Sequence, residues 1–472
     1  MTTRRTPAVL LLVSALVLAA SVVAPSASAA KRTTASIRVS QPHPVANEQF
    51  VVSGRVSTRF RRAVTLRVKT AGRAWRPLRR GTTTARGVYR FPRVTTARVR
   101  YYSVSVPSVR HSGRRYGAKV TRARRVAPVA QTAALDVLPG VSQRGRTLAA
   151  STRASGTVVA TFKPARPGRR VVFSQQSTTG RWVVAGRARQ QADGRAYYFG
   201  PTSAGTRAIN FKAKASARAG ARAVTTAHGT GDWQPTFADE FAGTSLDLRK
   251  WHYRNGRAPS RTKSTNDPRA VSVRGGALRL HVLRDPARPK TMLLSSQIAT
   301  TDSFEQRYGV FSARIKFPRE RGQHGSFWLQ SPTYGAYPGN AARSGAEIDV
   351  VEFFGRGAPG GGLASFLYFK NSAGRNAQFG GVHRGADTLI PRADTWYNSY
   401  HVFSVKWTPS RYTFYIDGRV LFTSNKALSQ RTQYLILSLL ASDWELKHLD
   451  RSKLPSEMSV DWAKVWQSRS LL

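Results

Sequence analysis

From Asp232 onward, apolar residues recur at every second position in a series of short runs. Leu278, Leu280 and Val282 alternate, as do Phe311, Ala313, Ile315 and Phe317, and then His401, Phe403, Val405 and Trp407. Tyr412, Phe414 and Ile416 lead into Asp417-Gly418, a two-residue hairpin signal, and Val420 and Phe422 continue beyond it. A period of two sends successive side chains to opposite faces, so each run predicts a half-buried strand. Roughly 240 residues of such strands, with little helical periodicity, predict one large antiparallel sandwich over 232–472.

The first half shows the same alternation in shorter runs. In Ala63-Val64-Thr65-Leu66-Arg67-Val68 the apolar members are Val64, Leu66 and Val68, and turn residues close each run. That pattern predicts a small all-β sandwich over 31–128. A second copy is expected over 133–228. Arg61-Arg62-Ala63-Val64 matches Arg169-Arg170-Val171-Val172, and one offset relates both Trp75 to Trp182 and Gly87 to Gly194. Both modules resemble bacterial immunoglobulin-like domains. Trp75 and Trp182 could stack on sugar, but so small a sandwich generally needs its Trp inside, so core positions are expected. The Ala/Thr/Gly-rich stretch Ala213 to Thr230 reads as a linker.

Charge sharpens the picture of the first half. The chain has a formal net charge of +53, and residues 31–230 carry most of it, with 41 Lys and Arg against Glu48, Asp136 and Asp193. Such a region attracts polyanions: an anionic cell-wall polymer, an acidic polysaccharide or nucleic acid. No helix-turn-helix, RNP-like or zinc pattern supports nucleic acid, and a coding bias toward Arg accounts equally well for part of the excess. There is no cysteine, which excludes disulfides and thiolate metal sites. Arg4-Arg5, the apolar run Ala8 to Val23 and Ala27-Ser28-Ala29 predict a secretory signal peptide over 1–30. The expected product is secreted, extracellular or wall-associated, with no transmembrane segment after cleavage.

One strand stands apart. Gly345-Ala346-Glu347-Ile348-Asp349-Val350-Val351-Glu352-Phe353-Phe354-Gly355 is β-branched and aromatic, yet it carries three acids. Glu347 and Asp349 share a face, while Glu352 is out of phase by one. A β-bulge, one extra residue in the strand, would return Glu352 to that face. The bland alternative is a solvated edge strand with accidental acids. A Ca²⁺ or Mg²⁺ site is the chemical rival, although no further ligand lies in the strand. Paired carboxyls suit glycoside hydrolysis, where one is ionised and the other protonated, and crowding raises at least one pKa. Spacing along a strand leaves retention and inversion both open.

Glu347-x-Asp349-x-x-Glu352 resembles the signature of glycoside hydrolase family 16, in its bulged, laminarinase-like form. The flanks agree in order: Phe237-Ala238-Asp239-Glu240-Phe241, Tyr308 to Lys316, Phe327-Trp328-Leu329, His401 to Pro409, Asp417-Gly418 and Val460 to Trp466. The resemblance implies a concanavalin-like β-jelly-roll with an open glycan cleft, and retaining endo-hydrolysis. It makes Glu347 the nucleophile, Glu352 the general acid/base and Asp349 the residue between them. On chemical grounds Asp349 could hydrogen-bond Glu347 and hold it ionised and oriented. No cofactor is implied for catalysis. A structural calcium is, with Asp461 as ligand and Glu240 and Gly276 as carbonyl donors.

Substrate-binding candidates are Trp328, Trp444, His324, Tyr368 and Arg314, with Tyr334 and Tyr337 behind them. Phe327 and Trp328 are adjacent in a strand, so only one can face the cleft, and Arg314 could equally be a salt-bridge partner. Three departures touch the subsites. His324-Gly325 stands where laminarinases place Trp-Pro, Ser365 to Tyr368 replaces an expected His, and Ala441-Ser442-Asp443 replaces the Gly-Gly before Trp444. The expected function is a secreted endo-β-glycanase acting on polysaccharide, with β-1,3- or mixed-linkage β-glucan first. An agar- or carrageenan-like substrate, a transglycosidase and a non-catalytic glycan binder are the alternatives.

Overall fold

The computed structural model describes residues 30–143, 155–204, 207–226, 228–256, 258 and 260–471. The signal-peptide reading lies outside the described residues apart from Ala30. No helix among the described residues is long and apolar enough to cross a membrane. The chain forms two compact units, one of residues up to Ala130 with Ala219–Ala221, the other of the remainder.

The first unit is a β-sandwich. A three-stranded sheet runs Arg38–Val39, Phe50–Arg55, Val88–Val94. Facing it, Arg124–Val126, Arg100–Val106, Ala63–Lys69 and Arg76–Thr82 lie side by side, with Lys119–Val120 also paired to Arg100–Val106. Val64, Leu66 and Val68 point inward from Ala63–Lys69, meeting Val52, Tyr89 and Val104 in the core.

The second unit begins with the same plan. Thr132–Ser142, Ser155–Lys163 and Arg195–Gly200 form one sheet, and Trp182–Arg189, Arg170–Gln176 and Asn210–Ala215 run side by side in the other. Two expectations are corrected. The stretch from Ala213 is not a linker but sheet. Ala213 and Ala215 are fully buried in Asn210–Ala215, and Val224–Thr225 and Gly229–Thr230 pair with that strand. Small residues there fill inward positions. Nor are the tryptophans core. Both Trp75 and Trp182 are half-buried, with Lys69 5.2 Å from the ring centroid of Trp75 and Lys212 4.2 Å from that of Trp182. Phe50 and Tyr89 fill the first core, and Phe162 and Phe173 the second.

The rest is a two-layered jelly roll. One layer runs Asn376–Val382, Leu363–Lys370, Glu347–Phe353, His324–Gln330, Tyr434–Leu440, Leu293–Ala299. The other runs Ala277–Arg284, Ser456–Ser468, Gly309–Lys316, His401–Thr408, Arg411–Ile416, Arg419–Ser424. The layers join where Leu283 and Arg284 pair with Leu294 and Leu293. Between them lies a core that includes Phe311, Phe327, Trp407, Phe414 and Leu437. The Asp417-Gly418 hairpin forms as expected, with both residues at positive φ (45° and 75°).

The second small sandwich packs on this roll through Leu138, Val141, Val159 and Tyr197 against Val310, Tyr415 and Trp466. Gln143 Nε2 donates to the Tyr400 carbonyl at 2.6 Å, and Trp233 Nε1 to the Val137 carbonyl at 2.8 Å.

Candidate active site

The acid strand Glu347–Phe353 pairs on one side with His324–Gln330. Gln330 opposes Glu347, Trp328 opposes Asp349, and Ser326 opposes Glu352. Between the last two pairs the acid strand has one residue too many, and the other neighbour shows the same shift between Asp349/Phe366 and Glu352/Ala364. This is the expected bulge. Ile348, Val350, Val351 and Phe353 all enter the core, leaving Glu347, Asp349 and Glu352 to the opposite face. The carbonyl of Val350 lies where the ladder is interrupted, and it accepts the buried Ser365 hydroxyl at 2.9 Å.

The three acids line an open cleft of about 640 Å³. Gln330 Nε2 donates to Glu347 at 2.8 Å and is itself held by the Tyr434 hydroxyl at 2.9 Å. Ser326 Oγ donates to Glu352 at 3.4 Å. Asp349 does not make the hydrogen bond to Glu347 that was expected. Its Oδ2 is buried without a partner, and Gln330, the register neighbour of Glu347, takes that role.

Burial raises all three acid pKa values. For Glu347, burial and the Glu352 charge outweigh the Gln330 hydrogen bond and the Arg254 and Lys370 cations, and the carboxyl is pushed up to about 7. Burial and then the Glu347 and Glu352 charges push Asp349 well above its ordinary range. Glu352 is raised by burial and partly restrained by His324 and Ser326. Crowded, buried carboxyls therefore hold their protons to higher pH than free ones, which suits an acid catalyst beside a nucleophile.

Aromatic side chains flank the acids. Trp328 faces the cleft and donates to Ser438 Oγ at 3.1 Å, while Phe327 is fully buried on the core side. Tyr368 opposes Glu347 across the sheet and lines the cleft. Tyr334 senses the Glu347 and Asp349 charges after burial, and its hydroxyl is pushed up to about 12. Tyr337 is 39% exposed under Arg343 and outside the cleft lining.

Trp444 is 59% exposed at the other end, stacked on His324 with centroids 5.9 Å apart. The departures from Gly-Gly now have a structural role. Asp443 accepts from Thr262 N and Oγ1 and from Lys263 N, at 2.8, 2.6 and 3.1 Å, fixing the Trp444 loop. Glu445 accepts from Ser442 N at 2.8 Å and pairs with His324 Nδ1 at 2.7 Å. Burial alone would lower the His324 pKa, but the Glu445 charge and hydrogen bond, with help from Glu352, raise it.

Arg314 is corrected. It is fully buried away from the cleft, donating to Asp461 Oδ2 at 2.7 Å and, through Nε, to Gln143 Oε1 at 2.7 Å. Glu240 and Gly276, named as carbonyl donors to a structural calcium, flank the closing strand near Asp461, whose Oδ2 accepts from the Arg314 guanidinium at 2.7 Å. Among the described residues, no group of three or more His, Asp or Glu is placed to hold a metal ion.

Gln330, Ser326, Ser438, Ser365, Glu445, Arg254 and Arg261 were not anticipated. Ser326 and Gln330 were within reach of the sequence, because alternation from Trp328 puts both on its face. The others depend on neighbours distant in the chain.

Residues 260–464 match the glycosyl hydrolases family 16. This region is a family 16 glycoside hydrolase domain. The chain is 27% identical over 272 residues to a glucan endo-1,3-beta-glucosidase A1 of Niallia circulans, covering 50% of this chain and 38% of that one. It is 26% identical over 276 residues to a keratan-sulfate endo-1,4-beta-galactosidase of Sphingobacterium multivorum, covering 54% and 60%. The match thus spans less than two thirds of either relative. Among solved structures, an endo-beta-1,3-glucanase from Pyrococcus furiosus aligns at a TM-score of 0.39 and 20% identity, over 50% of this chain and 94% of that one.

Proposed function

We propose that the protein is a retaining endo-β-glycanase exported to act on polysaccharide. The observation that carries this reading is the Val350 bulge, which returns Glu352 to the cleft face beside Glu347 and Asp349. Ionised Glu347 attacks the anomeric carbon, and the glycosidic oxygen leaves with the proton of Glu352. Water then attacks the glycosyl-enzyme, gives a proton to Glu352 and releases Glu347. Burial and the flanking carboxylates favour the protonated form of Asp349, which limits the negative charge beside Glu347. An open cleft admits an internal stretch of chain, which favours endo cleavage.

For the backbone, β-1,3- or mixed-linkage β-glucan is the first candidate, supported by the similarity to the glucan endo-1,3-beta-glucosidase of Niallia circulans. A β-galactan is the second reading, supported by the similarity to the keratan-sulfate endo-1,4-beta-galactosidase of Sphingobacterium multivorum. Laminarin, lichenan, agarose, carrageenan and keratan sulfate form the decisive panel. Absence of cleavage of all five by the folded protein would sink the proposal. Early products should be the β-anomer by proton NMR, and an initial α-anomer refutes retention.

The basic sandwiches are proposed to retain the enzyme on anionic wall polymer or polysaccharide. Support comes from the lysines over Trp75 and Trp182, an aromatic platform beside a cation on each module. Replacing both tryptophans by Ala should weaken salt-sensitive pull-down by the full chain. Unchanged retention would make the modules spacers.

A further inference from the structure

The cleft has an arginine wall without carboxylate partners. Arg254 lines it, with its guanidinium 5.5 Å from the Trp328 ring centroid and 5.9 Å from that of Tyr434. One of its nitrogens, Nη1, is buried with no hydrogen-bond partner. Arg261 lines the same wall, is 8% exposed, and among the described residues its side chain donates to the neutral Asn266 side chain. Neither arginine has a salt-bridge partner among the described residues. Burial and the like charge of Arg254 both lower the Arg261 pKa. Two guanidinium groups are thus held together in a half-desolvated wall at an electrostatic cost.

Some cations of the second unit do have an acidic partner. Lys464 pairs with Glu240, Lys406 with Asp136, and His324 with Glu445. The opposing charges that face Arg254 are those of the triad, chiefly Glu347, and none of the three acids bonds to it. Lys370 adds a further cation near Glu347. A neutral glycan would leave this wall uncompensated, whereas an oxyanion would accept charge-assisted N–H bonds from the guanidinium groups.

We propose that Arg254 and Arg261 form a subsite for an anionic substituent, sulfate ester or carboxylate, on a sugar stacked at Trp328. The proposal rests on the endo-β-glycanase reading and narrows its substrate to acidic β-glycans. Trp328 supplies the apolar face for the ring, Arg254 beside it supplies donors, and Arg261 adds its own from the same cleft wall. Asn266 holds Arg261 in place and also donates to Gln297 Oε1 at 2.9 Å, so the wall is braced on the cleft strands.

The test uses the full chain and has two arms. In the first, peptide mass spectrometry follows phenylglyoxal modification of Arg254 in Glu347→Gln protein, which needs no turnover. A short sulfated or uronic oligosaccharide should protect Arg254, its unsubstituted parent should not, and comparing the two anions identifies the source. Equal protection by the neutral sugar, or none by either anion, overturns the subsite even if glycanase activity is established. In the second arm, the backbone cleaved in the panel is compared in unsubstituted, O-sulfated and C6-carboxylated forms. An anionic form should be preferred by about tenfold or more in kcat/KM, and Arg254→Gln should collapse that ratio. If Arg254 serves only to keep Glu347 ionised, the variant instead lowers all three forms equally and shifts the acidic limb of the pH profile. That result refutes the proposal and leaves the glycanase reading standing.

Discussion

Ser365 Oγ donates to the Val350 carbonyl at 2.9 Å, a bond between neighbouring strands that supports the one irregular step of the acid strand. The bulge leaves that carbonyl out of the ladder, and Ser365 is fully buried, so no solvent can replace the hydroxyl. The position of Glu352 depends on this bond. Ser365→Ala should therefore cost about 1–3 kcal/mol of stability, the usual penalty for a buried unsatisfied acceptor. Displacement of Glu352 should lower kcat by roughly tenfold or more. Urea unfolding and steady-state kinetics on one preparation check both, and wild-type values for the two would show that the bulge stands without its bond.

The pH profile follows from the triad. Glu347 must be ionised, and its carboxyl is pushed up to about 7, so kcat/KM should climb as pH rises toward 7. The Gln330 hydrogen bond restrains the elevation, so Gln330→Leu should move this limb to higher pH. A limb that stays in place argues against that bond as the group that favours ionised Glu347.

Stability should carry the opposite dependence. A carboxyl with a folded pKa above its unfolded value costs nothing while both states are protonated. From its ordinary value of 4.5 upward, the unfolded state loses its proton first, so the fold loses stability until about 7. Glu347→Gln should accordingly be more stable than wild type by roughly 1–3 kcal/mol above pH 7, and nearly equal to it below pH 4.5. Chemical denaturation at the two pH values decides. An equal gain at both would assign the effect to packing.

His324 is placed to tune the acid. Its cation lowers the Glu352 pKa, while the Glu445 charge raises it. His324→Gln should therefore raise the Glu352 pKa and carry the basic limb of activity to higher pH. Glu445→Gln removes the carboxylate and, with it, the support for a charged His324, so its two effects oppose and the limb should move less. A larger shift in the Glu445 variant would reverse the assigned roles.

Much of this was legible in the chain. Strand alternation defined both small sandwiches and the large one, because burying one face of a sheet imposes a period of two wherever it occurs, and the family resemblance made the large one a jelly roll. The same rule exposed Glu352 as out of phase, and the bulge at Val350 is the only way that strand could keep Val351 and Phe353 inside while presenting three acids. Family resemblance extended the reading to the roles of Glu347 and Glu352. What alternation could not reveal is which partner each polar side chain meets. Arg314 was open between cleft residue and ion-pair partner until Asp461 and Gln143, far apart in the chain, closed around it. Arg254 and Arg261 were two among many arginines until the fold set both in the cleft wall without a carboxylate partner, Arg254 against Trp328. Periodicity is a local property and survives in sequence, whereas pairing between distant side chains is decided by strand order and register, which exist only once the chain has folded.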